Sequence, residues 1–264
     1  MPELAEVDYF RKQWNSGLGL RISRVTTHPW THVYRDCDPV DLVASLAGNR
    51  LVHSETHGKQ MLFRTDRSGW LGIHLGMTGS LSWTTQVDFD DGYAHLVLQT
   101  SDGWLIFEDL RQFGRVLFEV NSEPPSWWSN LPPEIMDVEF SFDYFQTLLR
   151  RRLGAQLKPM LLMQDLFPGI GNWMADEILW CARLAPSRRV RSLHLAEVRT
   201  LHQKIHWVAK RSLEIVGDDW GEFPDAWLFK HRWKDGGNCP KTGKPLKRER
   251  IGGRTTCWSP SWQQ

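Results

Sequence analysis

Leu4, Val7, Phe10 and Trp14 recur at three- and four-residue intervals, which puts them on one face of a helix, and Gly17 and Gly19 close the run. A first helix is expected over residues 4–17. From Leu20 to Val120 the period changes. Apolar, β-branched and aromatic residues gather in short runs at Arg21–Thr26, Arg50–Thr56, Met61–Arg64, Trp70–Leu75, His95–Thr100, Trp104–Glu108 and Arg115–Val120. Turn-forming stretches such as Asp66-Arg67-Ser68-Gly69 and Ser101-Asp102-Gly103 separate them. Such a series predicts a β-sandwich or barrel. Residues 121–133 hold four prolines and two adjacent tryptophans and read as a linker. Helical spacing returns at Phe142–Arg151, Leu157–Gln164, Trp173–Cys181 and Leu195–Val216. A final hairpin is expected from Pro245–Ile251 and Arg254–Ser259 around Gly252-Gly253, a good two-residue turn. The chain is therefore expected to be α+β. A β-sandwich with a leading helix (1–122) is followed by a linker (123–138), a helical domain (139–216) and a short loop with a terminal hairpin (217–264).

Composition narrows the function. The formal net charge is only +1, but nine Lys and Arg lie between Lys230 and Arg254, against Asp235 and Glu249. A basic C-terminal patch is the electrostatic footprint of a nucleic-acid binder. Cys37, Cys181, Cys239 and Cys257 show no paired spacing, which argues against a disulfide framework and suits a reducing cytoplasm. No apolar stretch reaches the ~18 residues of a membrane span, and the start lacks the basic-then-apolar pattern of a signal peptide.

The sharpest chemical candidate is Pro2. Removal of Met1 would leave a terminal secondary amine. Terminal amines titrate near ~7.7–8.0, so a useful fraction is neutral and nucleophilic at cellular pH. Attack on a sugar C1′ gives an iminium intermediate, which divides one hard step into two easier ones. Glu3 beside it could move protons as a general acid and base. By itself Met-Pro-Glu is an ordinary start; its weight comes from motifs further along.

Those motifs occur in order. Pro2-Glu3-Leu4-Ala5-Glu6-Val7 resembles the N-terminal signature of the formamidopyrimidine-DNA glycosylase/endonuclease VIII family. Gly58-Lys59 resembles its β-domain lysine. The stretches from His74 to Leu81 and from Asp109 to Gly114 resemble its two gap-filling loops. Lys158 to Gln164 followed by Pro168 to Glu177 resembles its helix–two-turn–helix core, and Gly252-Gly253-Arg254-Thr255-Thr256 the tip of its finger. The resemblance covers nearly the whole chain. It implies a bifunctional DNA glycosylase/AP lyase with no cofactor, acting as a monomer on double-stranded damaged DNA, with Pro2, Glu3, Lys59 and Arg254 as the catalytic set.

The implied roles have physical content. Extruding a nucleotide from a duplex costs a few kcal/mol, and apolar wedges offset part of it. Met77 and Phe113 suit that role, with Arg111 facing the widowed base. Asn172 begins a helix after Gly169-Ile170-Gly171, where backbone N–H groups and a side-chain donor can meet phosphate. Lys59 and Arg254 would hold flanking phosphates. Lys158 is placed among the DNA contacts, and Glu6 by resemblance shapes the pocket for the everted nucleotide. Gln112 stands where arginine is commoner.

The finger resembled here usually binds zinc through two Cys-x-x-Cys pairs. In this chain Cys239 pairs with Thr242, and the second pair falls on Ser259 and Trp262, so a zincless hairpin is expected. Packing of Leu246, Ile251, Trp258 and Trp262 would hold it. The departures at Ala5, Asp8, Gln112, Met163 and the cysteines keep a second reading open, a weakly catalytic lesion-binding protein on the same scaffold. The short acidic connection Gly217–Trp227 implies a preference for formamidopyrimidines, hydantoins and abasic sites over 8-oxoguanine, which a longer flexible loop covers in relatives.

Overall fold

The computed structural model describes residues 1–28, 31–86 and 92–264. The chain forms two compact units: Met1, Pro2 and residues 6–131 in the first, Glu3–Ala5 and residues 132–264 in the second. Helix α1 (Leu4–Lys12) begins in the second unit and runs into the first. It is shorter than its hydrophobic period suggests, because Asn15–Gly17 tighten into a 3-10 turn.

The first unit continues with β1 (Arg24–Thr27), α2 (Pro39–Leu46), β2 (Leu51–His57), β3 (Gln60–Thr65), β4 (Gly69–His74), β5 (Ser80–Thr84), β6 (Ala94–Gln99), β7 (Trp104–Glu108), β8 (Arg115–Val120) and α3 (Ser126–Ser129). Two four-stranded antiparallel sheets result, in the orders β1-β6-β7-β5 and β2-β3-β4-β8. Val25, Leu96, Leu98, Leu105 and Phe107 from one sheet meet Met61, Phe63, Leu71, Ile73 and Val116 from the other, with Val7 and Trp14 in the same core. This is the expected sandwich. Three elements fall outside the predicted runs: α3, a single turn within the expected linker, α2 and β5. Helix α2 starts at Asp38-Pro39, where the Asp38 carboxylate accepts from Val40 N at 2.7 Å and proline occupies the first turn. Strand β5 carries only Leu81 and Trp83 as apolar residues, and it exists because β7 supplies its full ladder.

The second unit holds α4 (Phe142–Arg150), α5 (Leu157–Leu161), α6 (Asn172–Ala182), α7 (Leu195–Val216) and the hairpin β9 (Lys247–Ile251) and β10 (Arg254–Trp258). Ser141 caps α4 by accepting from Tyr144 N. Helix α5 stops three residues earlier than its spacing predicts. The Gln164 side chain is the reason: it donates to the Leu162 and Ile170 carbonyls and accepts from Gly169 N, so it folds the connection back towards α6. Helix α6 is apolar almost all round, with Trp173, Met174, Ala175, Ile178, Leu179 and Trp180 buried. The hairpin turn has Gly252 at φ 58° and Gly253 at φ 79°, the left-handed pair that a two-residue turn requires.

Candidate active site

Glu3 is nearly fully buried, and its carboxylate reaches the start of α6. It accepts from Gly171 N at 2.9 Å, Trp173 N at 2.9 Å and Met174 N at 3.0 Å. These are the N–H groups a helix cannot satisfy by itself, and a carboxylate there also faces the positive end of the helix dipole. Leu4 N donates to Gly169 O, so backbone and side chain fix the segment together. Pro2, the residue before, is half-buried. A β-carbon on Gly171 would overlap the Glu3 carboxylate, which explains the glycine at that position.

The same helix start meets the hairpin. Asn172 Nδ2 donates to Thr255 O at 3.0 Å. Four residues on, Asp176 Oδ2 accepts from Cys257 N at 3.1 Å and from Arg232 Nη2 at 2.6 Å, while Oδ1 pairs with Lys158. Lys158 also donates to Asn172 O at 2.6 Å. One expectation changes. Lys158 is fully buried with its ammonium committed to protein partners, so it is an internal tie and not a surface contact for DNA. The Asn172 amide has one of its N–H groups on the hairpin. Arg254, beside Thr255, is exposed at the hairpin turn. Gly252 in that turn packs against Pro159 of α5.

In the first unit, Lys59 follows Gly58, whose φ of 59° makes the β2–β3 turn. The two expected wedge loops lie against each other: a β-carbon on Gly76 would sit 2.5 Å from Gly114 N. Phe113 is half-exposed at the second loop, and the Arg111 guanidinium lies 4.7 Å from its ring centre. Met77 is partly buried and Glu6 lies in the first turn of α1. Asp109, which stands out in the sequence only by its place in the motif, ties both loops together. It is buried, with Oδ1 accepting from Thr78 Oγ1 at 2.6 Å and Arg111 N at 3.2 Å, and Oδ2 from Gly114 N at 2.6 Å. Gln112, at φ 54°, accepts from His32 N through its side-chain oxygen and so ties the loop to residue 32.

His74 Nδ1 accepts from Gly76 N at 3.0 Å and so shapes the Met77 loop. Burial, with the positive charges of Lys59, Arg115 and Arg35, brings its pKa down to about 4. The unfolded chain takes up this proton near pH ~6.5. The folded chain does not until about pH 4. The contribution of neutral His74 is therefore complete above ~6.5 and is lost as pH falls through that window. Chemical denaturation of His74→Gln should show a shallower loss of stability between about pH 7 and pH 4.5 than the native chain; equal slopes would remove His74 from the account.

The four positions matching the family's zinc ligands hold Cys239, Thr242, Ser259 and Trp262. One thiol cannot close a tetrahedral thiolate site, and no group of three potential ligands occurs among the described residues. These residues do not fit the metal. Instead Trp180 Nε1 donates to Cys239 Sγ at 3.4 Å, and the Thr242 and Ser261 hydroxyls lie 2.9 Å apart. Burial pushes the Cys239 thiol up, but hydrogen bonds from Ser259, Trp180 and Thr242 outweigh it and bring the pKa to about 7. Leu246 and Trp262 pack on the Trp180, Leu228, Cys239 and Cys257 cluster beneath.

Residues 1–116 match the formamidopyrimidine-DNA glycosylase N-terminal domain and residues 131–221 the H2TH domain of the same enzymes. The chain belongs to the formamidopyrimidine-DNA glycosylase family. It is 31% identical to the formamidopyrimidine-DNA glycosylase of Desulfitobacterium hafniense and 30% identical to that of Solibacter usitatus, in each case over all of both chains. The Arabidopsis thaliana enzyme is 29% identical, all of this chain matching 71% of that one. Among solved structures, wild-type Lactococcus lactis Fpg (MutM) bound to DNA containing an oxidised pyrimidine superposes with a TM-score of 0.89 at 25% identity over the full length of both. Another complex of the Lactococcus lactis enzyme, with abasic-site DNA, gives 0.88 at 24%. No helix among the described residues is long and apolar enough to cross a membrane.

Proposed function

We propose that the chain is a bifunctional DNA glycosylase/AP lyase that removes oxidised bases from duplex DNA. The observation that supports this most is the Glu3 carboxylate, held by three N–H groups of the α6 start, one residue from Pro2. Once Met1 is removed, the Pro2 nitrogen attacks C1′ of the damaged nucleotide and the base departs with the glycosidic electron pair. Loss of the C1′–O4′ bond then gives the iminium, and Glu3 carries protons to and from the opening sugar. Abstraction of a C2′ proton expels the 3′ phosphate, and a further elimination expels the 5′ phosphate. Lys59 and Arg254 hold phosphates, Met77 and Phe113 fill the vacated stack, and Arg111 faces the widowed base.

Formamidopyrimidines, hydantoins and abasic sites are the favoured substrates, with 8-oxoguanine a poorer one. The connection after α7 is short, and Phe223 within it is fixed by ring contacts with Trp173, Trp227 and Phe229 at 4.8, 5.2 and 4.4 Å. A segment anchored in this way has little freedom to fold over an everted purine. Single-turnover cleavage of a lesion panel, with borohydride trapping of the intermediate, tests both parts. A trapped adduct on hydantoin and abasic duplexes is expected. Strong preference for 8-oxoguanine opposite cytosine overturns the substrate assignment. Tight lesion binding without any adduct favours the non-catalytic reading instead.

A further inference from the structure

Helix α6 and strand β10 meet with matched periods. Asn172 and Asp176 lie one turn apart on the helix, and they grip Thr255 O and Cys257 N, two residues apart on one edge of the strand. Arg254 is the residue immediately before this grip. Asp176 carries most of it. Its carboxylate is fully buried and bonded to the Lys158 ammonium, the Arg232 guanidinium and the Cys257 amide. Lys158 in turn reaches the Asn172 carbonyl, so the two arms of the grip are joined. Arg232 anchors the segment that leads into the hairpin, and its own side chain is almost wholly enclosed. With both cations buried against a single carboxylate, the pairing has no substitute partner in solvent.

We infer that Asp176, with Lys158 and Arg232, is a positioning centre that fixes the placement of the Arg254 hairpin against the Asn172 helix start, and so sets the phosphate grip of the enzyme. The inference rests on the proposed DNA-processing role. None of the three side chains need touch DNA. Their effect passes through Thr255 and Cys257 to the neighbouring arginine, a path of direct hydrogen bonds.

The test is a double-mutant cycle read by binding to a duplex carrying a stable abasic-site analogue, across a range of salt. In the native background Arg254→Ala should weaken binding and lower the slope of log affinity against log salt by about 1, the signature of one lost phosphate contact. In Asp176→Asn, Arg254→Ala should change the slope little, because the arginine is no longer placed; the two losses are then non-additive. Asp176→Asn leaves two buried cations and can fail to fold. Lys158→Met/Asp176→Leu/Arg232→Met removes all three charges together and should retain the fold, since apolar replacements of similar volume commonly preserve stability at buried ion clusters. That triple variant should also have lost the Arg254-dependent slope, with faster amide exchange at Cys257. A triple variant in which Arg254→Ala still lowers the slope by the native amount overturns the inference and leaves the functional reading intact. A native chain with no affinity for the abasic duplex overturns both.

Discussion

Protein that retains Met1, or carries an uncleavable residue ahead of Pro2, should give no borohydride-trapped adduct with abasic DNA while still binding it. An acylated proline nitrogen is an amide with no free lone pair to attack C1′. Turnover should fall by a factor on the order of 10⁴ or more, the scale on which loss of a covalent nucleophile is felt. Binding should survive, because the groups assigned to phosphate contact, Lys59 and Arg254, are elsewhere in the chain. Intact-mass measurement of the purified protein establishes which form is present before trapping is attempted. If the blocked chain traps as efficiently as the processed one, the nucleophile is a different amine and the assignment to Pro2 is wrong.

The second large effect concerns Glu3. Glu3→Gln keeps the shape and one of the two oxygen acceptors, turns an NH2 against an α6 N–H in place of the other, and removes the proton-carrying carboxylate. Loss of one general acid–base group lowers turnover by about 10²–10⁴-fold. Gly171→Ala approaches the same defect from the other side. Its β-carbon would occupy the space of the Glu3 carboxylate, so Glu3 must move. Overpacking of this kind costs about 1–3 kcal/mol. We expect Gly171→Ala to lower the melting temperature and much of the activity, and Glu3→Gln added to it to cost little more, because the two changes disable one group. Full activity in Gly171→Ala would show that the carboxylate need not be held where it is. Independent, multiplying losses would show that Gly171 acts through something other than Glu3.

The sandwich, α4, α6, α7 and the hairpin were legible because their periods are regular and their punctuation is strong. Helix α7 runs from Leu195 to Val216, as its spacing predicts. Elements made by pairing or by side-chain intervention were not. Strand β5 has two apolar residues and borrows its stability from β7, and α5 ends where Gln164 turns the backbone. The site divides in the same way. Pro2, Glu3, Lys59, Asn172 and Arg254 stand in recognisable motifs, but what holds them is distant in sequence: Glu3 meets amides 168 to 171 residues away. Lys158 reads as a DNA contact from its motif until its buried carboxylate partner, Asp176, is known. The available clue was Asp176-Glu177 inside an otherwise apolar helix, since a buried acid on such a surface requires a partner. Asp109 carried a weaker version of the same signal at the head of its loop.

A finger closed by three hydroxyls, one thiol and an indole is complete when the polypeptide is complete. Fingers closed by metal–thiolate bonds depend on an ion supply, and chelators and thiol oxidants can dismantle them. Here the information for closure lies in Trp180, Cys239, Thr242, Ser259 and Ser261, residues translated with the rest of the chain. Denatured protein returned to buffer containing a strong chelator should regain the hairpin and its grip on DNA. Trace-metal starvation would then leave this part of the repair apparatus standing.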